Sequence, residues 1–170
     1  MKIAAASVLA ACLAAGGAAQ AEDAKDRDID LRLFAKAEVD LTRGCSVALW
    51  QANRDPDRDK FAYVFVETLT ADHARQPARL KIGKNVVRLT RVATGGKAGG
   101  YKLYEYQLYK MDAPHSFVAL ELKLGEIEGE AVEIESGSLS VIQPGKLPMR
   151  VSVKGGAGCY TPASPAPAAR

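Results

Sequence analysis

The chain has 170 residues, of which 48% are hydrophobic and 25% charged, and its formal net charge is +3. A charge so close to balance argues against a dedicated nucleic-acid-binding protein, because such proteins usually carry a strongly basic face. The length is that of one domain with a hydrophobic core.

The first 21 residues have the order of a secretory signal. They contain one lysine, then an apolar Ala/Leu/Val stretch, and they end in Ala-Gln-Ala. This order predicts cleavage after Ala21. The apolar stretch is shorter than the run of about 20 residues that a membrane-spanning helix needs. We therefore expect a protein of the bacterial periplasm or a secreted protein, without a transmembrane segment.

A second interpretation of the same segment stays open. The residues Leu9-Ala10-Ala11-Cys12 resemble a bacterial lipoprotein cleavage box, which would leave a lipidated Cys12 at the N-terminus. Ordinary cleavage is favoured, because the small residues at Ala19 and Ala21 mark the end of the apolar stretch better.

Apolar residues recur at alternate positions from Ile29 onwards, a period typical of extended chain with one buried face. A short helix around Leu31–Ala35 is the alternative. The pattern continues through Cys45, Val47 and Leu49, so these side chains are predicted to face the core. Trp50 is then predicted to lie on the other face, either beneath a second layer or towards a ligand.

The next segment carries oxygen-bearing side chains at every second position: Asn53, Asp55, Asp57 and Asp59. This spacing resembles the start of a calcium loop, but a glycine and a glutamate are missing where such a loop requires them. Three cations, Arg54, Arg58 and Lys60, also interleave with the aspartates. A turn is the better interpretation, because Asp and Asn bond nearby backbone and Pro56 fixes a turn corner.

Short apolar segments separated by turn signals fill the rest of the chain, as in all-β proteins. The segment Phe61–Thr70 is apolar on both faces and is predicted to be central. The four glycines of Thr94–Gly100 predict a flexible hairpin tip. Further strands are predicted over residues 77–82, 86–92, 101–110, 115–124, 131–135, 139–143 and 147–153.

These segments predict an all-β fold, a single antiparallel β-sandwich or barrel of about 8–10 short strands with one disulfide. The domain is expected to span residues 22–160, and the Pro/Ala-rich residues 161–170 are expected to form a disordered tail. After signal cleavage the only cysteines are Cys45 and Cys159, and an even pair in an exported chain predicts a disulfide rather than free thiols.

The charged residues fall into two blocks of opposite sign. Between Arg75 and Lys110 there are nine basic residues and one acid, and between Met111 and Gln143 there are seven acids and one base. We expect oppositely charged neighbouring strands that pair across the sheet, a contribution of roughly 0.2–1 kcal/mol per pair. The alternative is a dipolar surface that steers a partner.

The sequence lacks a recognisable catalytic or metal-binding constellation. It has two histidines, His73 and His115, no G-x-S-x-G elbow, and no cysteine pair with metal-ligand spacing. No cofactor or metal is therefore expected, and an enzyme without a recognisable motif is the third functional alternative.

Four tyrosines lie within nine residues. Alternation places Tyr104 and Tyr106 on one face and Tyr101 and Tyr109 on the other, so one pair can be exposed. Together with nearby cations they form the candidate binding residues: Arg88, Arg91, Lys102, Tyr104 and Tyr106.

The preferred function is that of a non-catalytic binding or structural protein of the bacterial periplasm or cell envelope. Its expected contact surface is the hairpin tip Gly95–Gly100 with the neighbouring basic strands, and its expected partner is an unknown protein or an envelope polymer. The main alternative is a periplasmic inhibitor of a lysozyme-type hydrolase, in which the acidic stretch Glu121–Glu135 meets a basic enzyme.

Overall fold

The computed structural model describes residues 27–41, 44–70, 74–128 and 131–159. The predicted signal, Cys12, His73 and the predicted tail 161–170 lie outside the described residues. Two 3₁₀ turns span Lys36–Glu38 and Gly100–Lys102. The strands are β1 Leu31–Arg32, β2 Phe34–Ala35, β3 Cys45–Gln51, β4 Phe61–Leu69, β5 Ala78–Ile82, β6 Asn85–Ala98, β7 Tyr104–Met111, β8 Phe117–Glu128, β9 Ala131–Ile142 and β10 Met149–Cys159.

Eight of these strands form a closed antiparallel barrel. Each strand from β3 to β10 pairs with the next one along the chain, and β10 pairs back onto β3. The predicted all-β, antiparallel fold class is thereby confirmed, in its barrel form. Within the described ranges, no helix is long and apolar enough to cross a membrane.

The N-terminal segment fills a gap in the barrel wall. Strands β4 and β5 pair only near the loop that connects them, where Val66 lies opposite Arg79. Farther along they diverge, and the short strands β1 and β2 lie between them, with Leu31 opposite Ile82 and Phe34 opposite Tyr63. The backbone groups of both diverging strands thus find partners.

The predicted disulfide is confirmed and lies where the barrel closes. Cys45 begins β3 and Cys159 ends β10, and the two residues are direct partners in the strand register. Their Cα atoms are 3.8 Å apart, and the bond joins positions separated by 114 residues. The disulfide therefore ties the first barrel strand to the last, and we call this end of the barrel the disulfide end.

The barrel interior is filled with apolar side chains from all eight strands. The predicted inward residues Cys45, Val47 and Leu49 are all buried. Complete burial of such a side chain contributes about 1.5–3 kcal/mol. Other interior residues with at most 1% exposure include Phe65, Leu80, Leu89, Met111, Val118, Leu120, Leu139, Val141 and Val153.

A second, smaller apolar cluster lies outside the wall. The N-terminal segment covers the outer face of β3 and β4, where Phe34 and Val39 pack with Ala48, Tyr63 and Val66. This cover explains why β4 is apolar on both faces, as predicted. The strand predicted from Ile29 is interrupted, because the Glu38 carboxylate accepts a hydrogen bond of 2.7 Å from the Ala35 amide and closes a 3₁₀ turn.

The structure corrects the prediction that glycine-rich stretches end strands. Residues 94–98 belong to β6, the Ser136–Ser138 stretch lies within one continuous β9, and the glycines from Gly155 to Gly158 belong to β10. Register shifts accompany each stretch, consistent with bulges that bend the wall. Gly155 is also packed against Leu49 of β3, so a glycine there leaves room for a leucine inside a narrow barrel.

We expect Gly155→Ala to lower the free energy of unfolding by about 1–3 kcal/mol, because its methyl group would overlap the Ala48 carbonyl and the Leu49 side chain. The adjacent Gly156→Ala is the matched control, since its methyl group would lie 3.7 Å from the nearest atom, the Val132 carbonyl oxygen. Urea denaturation of both variants measures the difference. Equal stability of the two variants would contradict this account of the close packing.

Candidate functional site

The connection between β6 and β7 lies across the disulfide end of the barrel. This cap segment, Gly99–Leu103, is closed by a hydrogen bond of 2.8 Å from the Gly99 amide to the Leu103 carbonyl. Leu103 is fully buried in the core, and Gly100 packs so closely on Val132 of β9 that a side chain would overlap it. The prediction of a flexible tip over Gly95–Gly100 is therefore wrong, because the last residues of this segment are held against the barrel.

Two arginines hold the cap segment through its backbone. Arg75 donates hydrogen bonds to the carbonyls of Tyr101 and Lys102 at 2.7 and 2.8 Å. Arg91 donates to the Lys102 carbonyl at 2.8 Å. Tyr101 and Lys102 both have positive φ, 58° and 53°, which is unfavourable for non-glycine residues. The arginine contacts to the two carbonyls compensate for that cost.

A buried polar cluster lies directly beneath the cap. Arg75 forms an ion pair with Glu67, whose side chain is 2% exposed. The Tyr109 hydroxyl lies 3.2 Å from both the Glu67 carboxylate and the Gln107 amide oxygen, which also accepts a hydrogen bond from Arg91. We call Glu67, Arg75, Arg91, Gln107 and Tyr109 the polar cluster.

Burial dominates the electrostatics of the polar cluster. It raises the pKa of Glu67, while Arg75 and Arg91 act in the opposite direction. Burial, together with the charge of Glu67, also raises the pKa of Tyr109 well above its usual value. The cluster holds several titratable groups within hydrogen-bond reach, but Glu67, Gln107 and Tyr109 are closed off from solvent. Its evident role is to fix the cap segment.

Sequence reasoning missed this cluster. Glu67 lies in the most apolar strand, at a position that the alternation assigns to the barrel interior, and such a buried acid requires a partner. That signal was present in the sequence. Its partner Arg75 lies outside the regular strands, where no periodicity indicates which way the side chain points.

The structure brings three of the five candidate binding residues together, but not as a free surface. The Arg91 guanidinium lies 5.8 Å from the ring centroid of Tyr104, and it bonds the backbone of Lys102. Arg91 is therefore engaged in holding the cap segment. Arg88 lies apart from these residues, on the outer face of β6.

The predicted separation of the tyrosines onto two faces is confirmed for the last two. Tyr109 points inward and is 1% exposed, with its ring packed edge-on against Phe65. Tyr106 points outward and is 54% exposed. Tyr106 lies over β6 and β8, opposite Gly95 and Glu121.

A group of three cations, the basic strip, lies on the outer face of β5, β6 and β7. Arg79 and Arg88 are direct cross-strand partners, and Lys110 stands opposite Thr90, two residues along β6 from Arg88. Like charges placed directly opposite are destabilising. None of the three cations forms an ion pair with an acidic residue in the described part of the chain.

The acidic block lies on the next two strands of the barrel, β8 and β9. Its ion pairs are internal or directed to β10: Lys123 with Glu135 at 2.5 Å and Arg150 with Glu121 at 2.5 Å. Strands β7 and β8, one from each block, are neighbours as expected, but among the described residues no ion pair joins the two blocks.

A groove of about 460 Å³ crosses the outer wall over β3, β10 and β9, opposite the basic strip. Trp50 lies on this outer face as predicted, with its ring 6.3 Å from and edge-on to that of Tyr63. Other lining residues are Leu41, Ser46, Ala48, Glu126, Ala131, Val132, Glu133, Gly156, Ala157, Gly158 and Cys159.

The three aspartates after β3 form the turn that the sequence favoured. The Asp59 amide bonds the Asp55 carbonyl at 2.8 Å, and the Asp57 amide bonds the Asp55 carboxylate at 2.9 Å. The Asp59 carboxylate in turn accepts from the Asp55 amide at 2.9 Å, and Asp57 pairs with Lys36. These carboxylates bond local backbone and cations, as turn residues do.

No protein-family model matches the chain, and neither a curated protein nor a solved structure matches it at a significant level. The surfaces of the barrel are therefore the only guide to its function.

Proposed function

We propose that the protein is a non-catalytic binding protein of the bacterial periplasm or cell envelope, and that its basic strip binds an anionic envelope polymer. The cross-strand pair of Arg79 and Arg88 carries this proposal. Two opposed guanidinium groups repel each other in the free protein, and a polyanion lying across the wall relieves that repulsion while it gains bidentate contacts to both.

The shape of the basic strip suits a polymer rather than a small molecule. Arg79, Arg88 and Lys110 lie on the outer face of three consecutive strands, where the barrel wall curves outward. Extended anionic chains and anionic membrane surfaces meet such a face with several weak contacts at once, which add through multivalency.

The disulfide supports the proposed compartment. Disulfides persist in oxidising environments such as the periplasm, and Cys45–Cys159 is formed in the structure. The predicted secretory signal points to the same compartment.

The test is retention on purified peptidoglycan carrying anionic polymer and on vesicles containing anionic lipid. We expect the wild type to be retained at low salt and released as salt rises, because exposed charges are screened. The variant Arg88→Ser/Lys110→Ser should lose roughly tenfold or more in affinity for at least one of the two.

The variant Lys60→Ser/Lys154→Ser is the matched control, since it removes the same charge from exposed positions outside the basic strip. Retention that falls equally in both variants would show an effect of net charge alone and would contradict the proposal. So would retention of the wild type on neither material.

The alternative function, inhibition of a lysozyme-type hydrolase, has a separate structural basis. It depends on exposed acids of the groove, Glu126 and Glu133, and shares no residue with the basic strip. Of the other acids that this alternative involves, the side chain of Glu128 and all of Glu130 lie outside the described residues.

A further inference from the structure

The groove has two chemically different sides. One side carries Trp50, with Tyr63 and Leu41 beside it, and the other carries Glu126 and Glu133. The floor between them consists of small residues of β3 and β10. An apolar side facing a charged side is the pattern that an amphipathic ligand requires.

The floor is low because β10 presents glycine to the outer face. Gly156 and Gly158 stand opposite Ala48 and Ser46 of β3. A Cβ atom at Gly156 would lie 3.7 Å from its nearest neighbour, the Val132 carbonyl oxygen, so this position holds at least a methyl group without overlap. A narrow, extended group can therefore lie along β10 in direct contact with the wall.

The two glutamates of the groove have no ion-pair partner in the part of the chain that the structure describes. Neither Glu126 nor Glu133 forms an ion pair with a described residue, whereas the nearby Glu121 and Glu135 are paired with Arg150 and Lys123. Among the described residues that line the groove there is no lysine or arginine. The groove is thus a concavity with negative charge on one side, and it is complementary to a cation.

We propose that the groove binds a basic segment of a partner protein, with one lysine or arginine side chain lying along the floor. The aliphatic stem of that side chain would contact Ala48 and the Trp50 ring, and its charged head would reach Glu126 and Glu133. Long basic side chains bury their stems and keep their heads polar, and a tryptophan ring attracts cations. Such a site would serve the alternative function, inhibition of a lysozyme-type hydrolase, and it shares no residue with the basic strip.

The chain contains one tryptophan, so its fluorescence reports directly on the groove. We would titrate the protein with a synthetic hexalysine peptide. In a separate titration the ligand would be a lysozyme, and its catalytic activity would be measured at the same time. A saturable change in Trp50 emission is expected at low ionic strength and should weaken with added salt. Glu126→Gln/Glu133→Gln should raise Kd for the peptide roughly tenfold or more, since two charge-assisted contacts are lost.

The matched control is Asp28→Asn/Asp112→Asn, which removes two exposed acids outside the groove and should leave Kd within about twofold. Both double variants alter exposed residues, so their melting temperatures should equal that of the wild type. The variant Glu126→Gln/Glu133→Gln should also keep its retention on anionic polymer, and this separates the groove from the basic strip.

Three results would overturn the inference. The first is an unchanged Trp50 emission at saturating peptide. The second is an equal loss of affinity in the two double variants, which would show a net-charge effect. The third is a response of Trp50 to neutral chitooligosaccharides that the glutamate substitutions leave intact, which would identify a sugar site instead.

Discussion

The variant Cys45→Ala/Cys159→Ala is expected to lose about 4–5 kcal/mol of unfolding free energy. The disulfide joins positions 114 residues apart, and closing a loop on the order of 100 residues removes about that much entropy from the unfolded chain. It also joins the two strands whose pairing closes the barrel. The loss is a large fraction of the stability of a small domain, and chemical denaturation at equilibrium measures it.

Reduction of the wild-type protein supplies the control. A protein held in excess reducing agent should show a similar loss of stability without any substitution. The far-UV circular dichroism should remain that of a β protein until unfolding begins. A loss below about 1 kcal/mol in the variant would show that strand pairing between β3 and β10 closes the barrel unaided, and the chain-entropy argument would then fail here.

Arg75→Met is the second large effect, with an expected loss of about 3–5 kcal/mol. The substitution leaves Glu67 buried, at 2% side-chain exposure, without its ion-pair partner. It also removes the two hydrogen bonds that hold the Tyr101 and Lys102 carbonyls in their unfavourable backbone conformation. The change in urea midpoint and slope gives the measurement.

The double substitution Glu67→Leu/Arg75→Met distinguishes the cost of leaving the Glu67 charge unpaired from the cost of losing the packing of Arg75. Replacing both partners of a buried ion pair by apolar residues is often close to neutral, so the double variant should be more stable than Arg75→Met alone. Arg88→Met, at an exposed position, should change stability by less than about 0.5 kcal/mol. Additive effects of the two cluster substitutions would show that Glu67 and Arg75 do not act as a pair.

The parts of the fold that follow from local patterns were predictable from the sequence. Alternation of apolar residues placed Cys45, Val47 and Leu49 inside and Trp50 outside. Cysteine number and the predicted export signal identified the disulfide. These inferences need only the period of a strand and the chemistry of two thiols.

The parts that depend on distant contacts were not predictable. Glycine is unfavourable in an isolated strand, but Gly155 is favoured where Leu49 fills the barrel beside it, and that neighbour comes from a strand about a hundred residues earlier. The same holds for Arg75, whose partners are Glu67 and the cap segment.

The strand order also determines how the domain can fold. Seven of the eight neighbour pairs in the barrel join consecutive strands, and the eighth joins the first strand to the last. Consecutive hairpins form with little loss of loop entropy, whereas the final pairing must bring distant positions together and is intrinsically slow. In the oxidised chain the disulfide already holds β3 and β10 together. The slowest step of assembly is then the oxidation of the two thiols, and no longer the diffusive search of the two distant strands for each other.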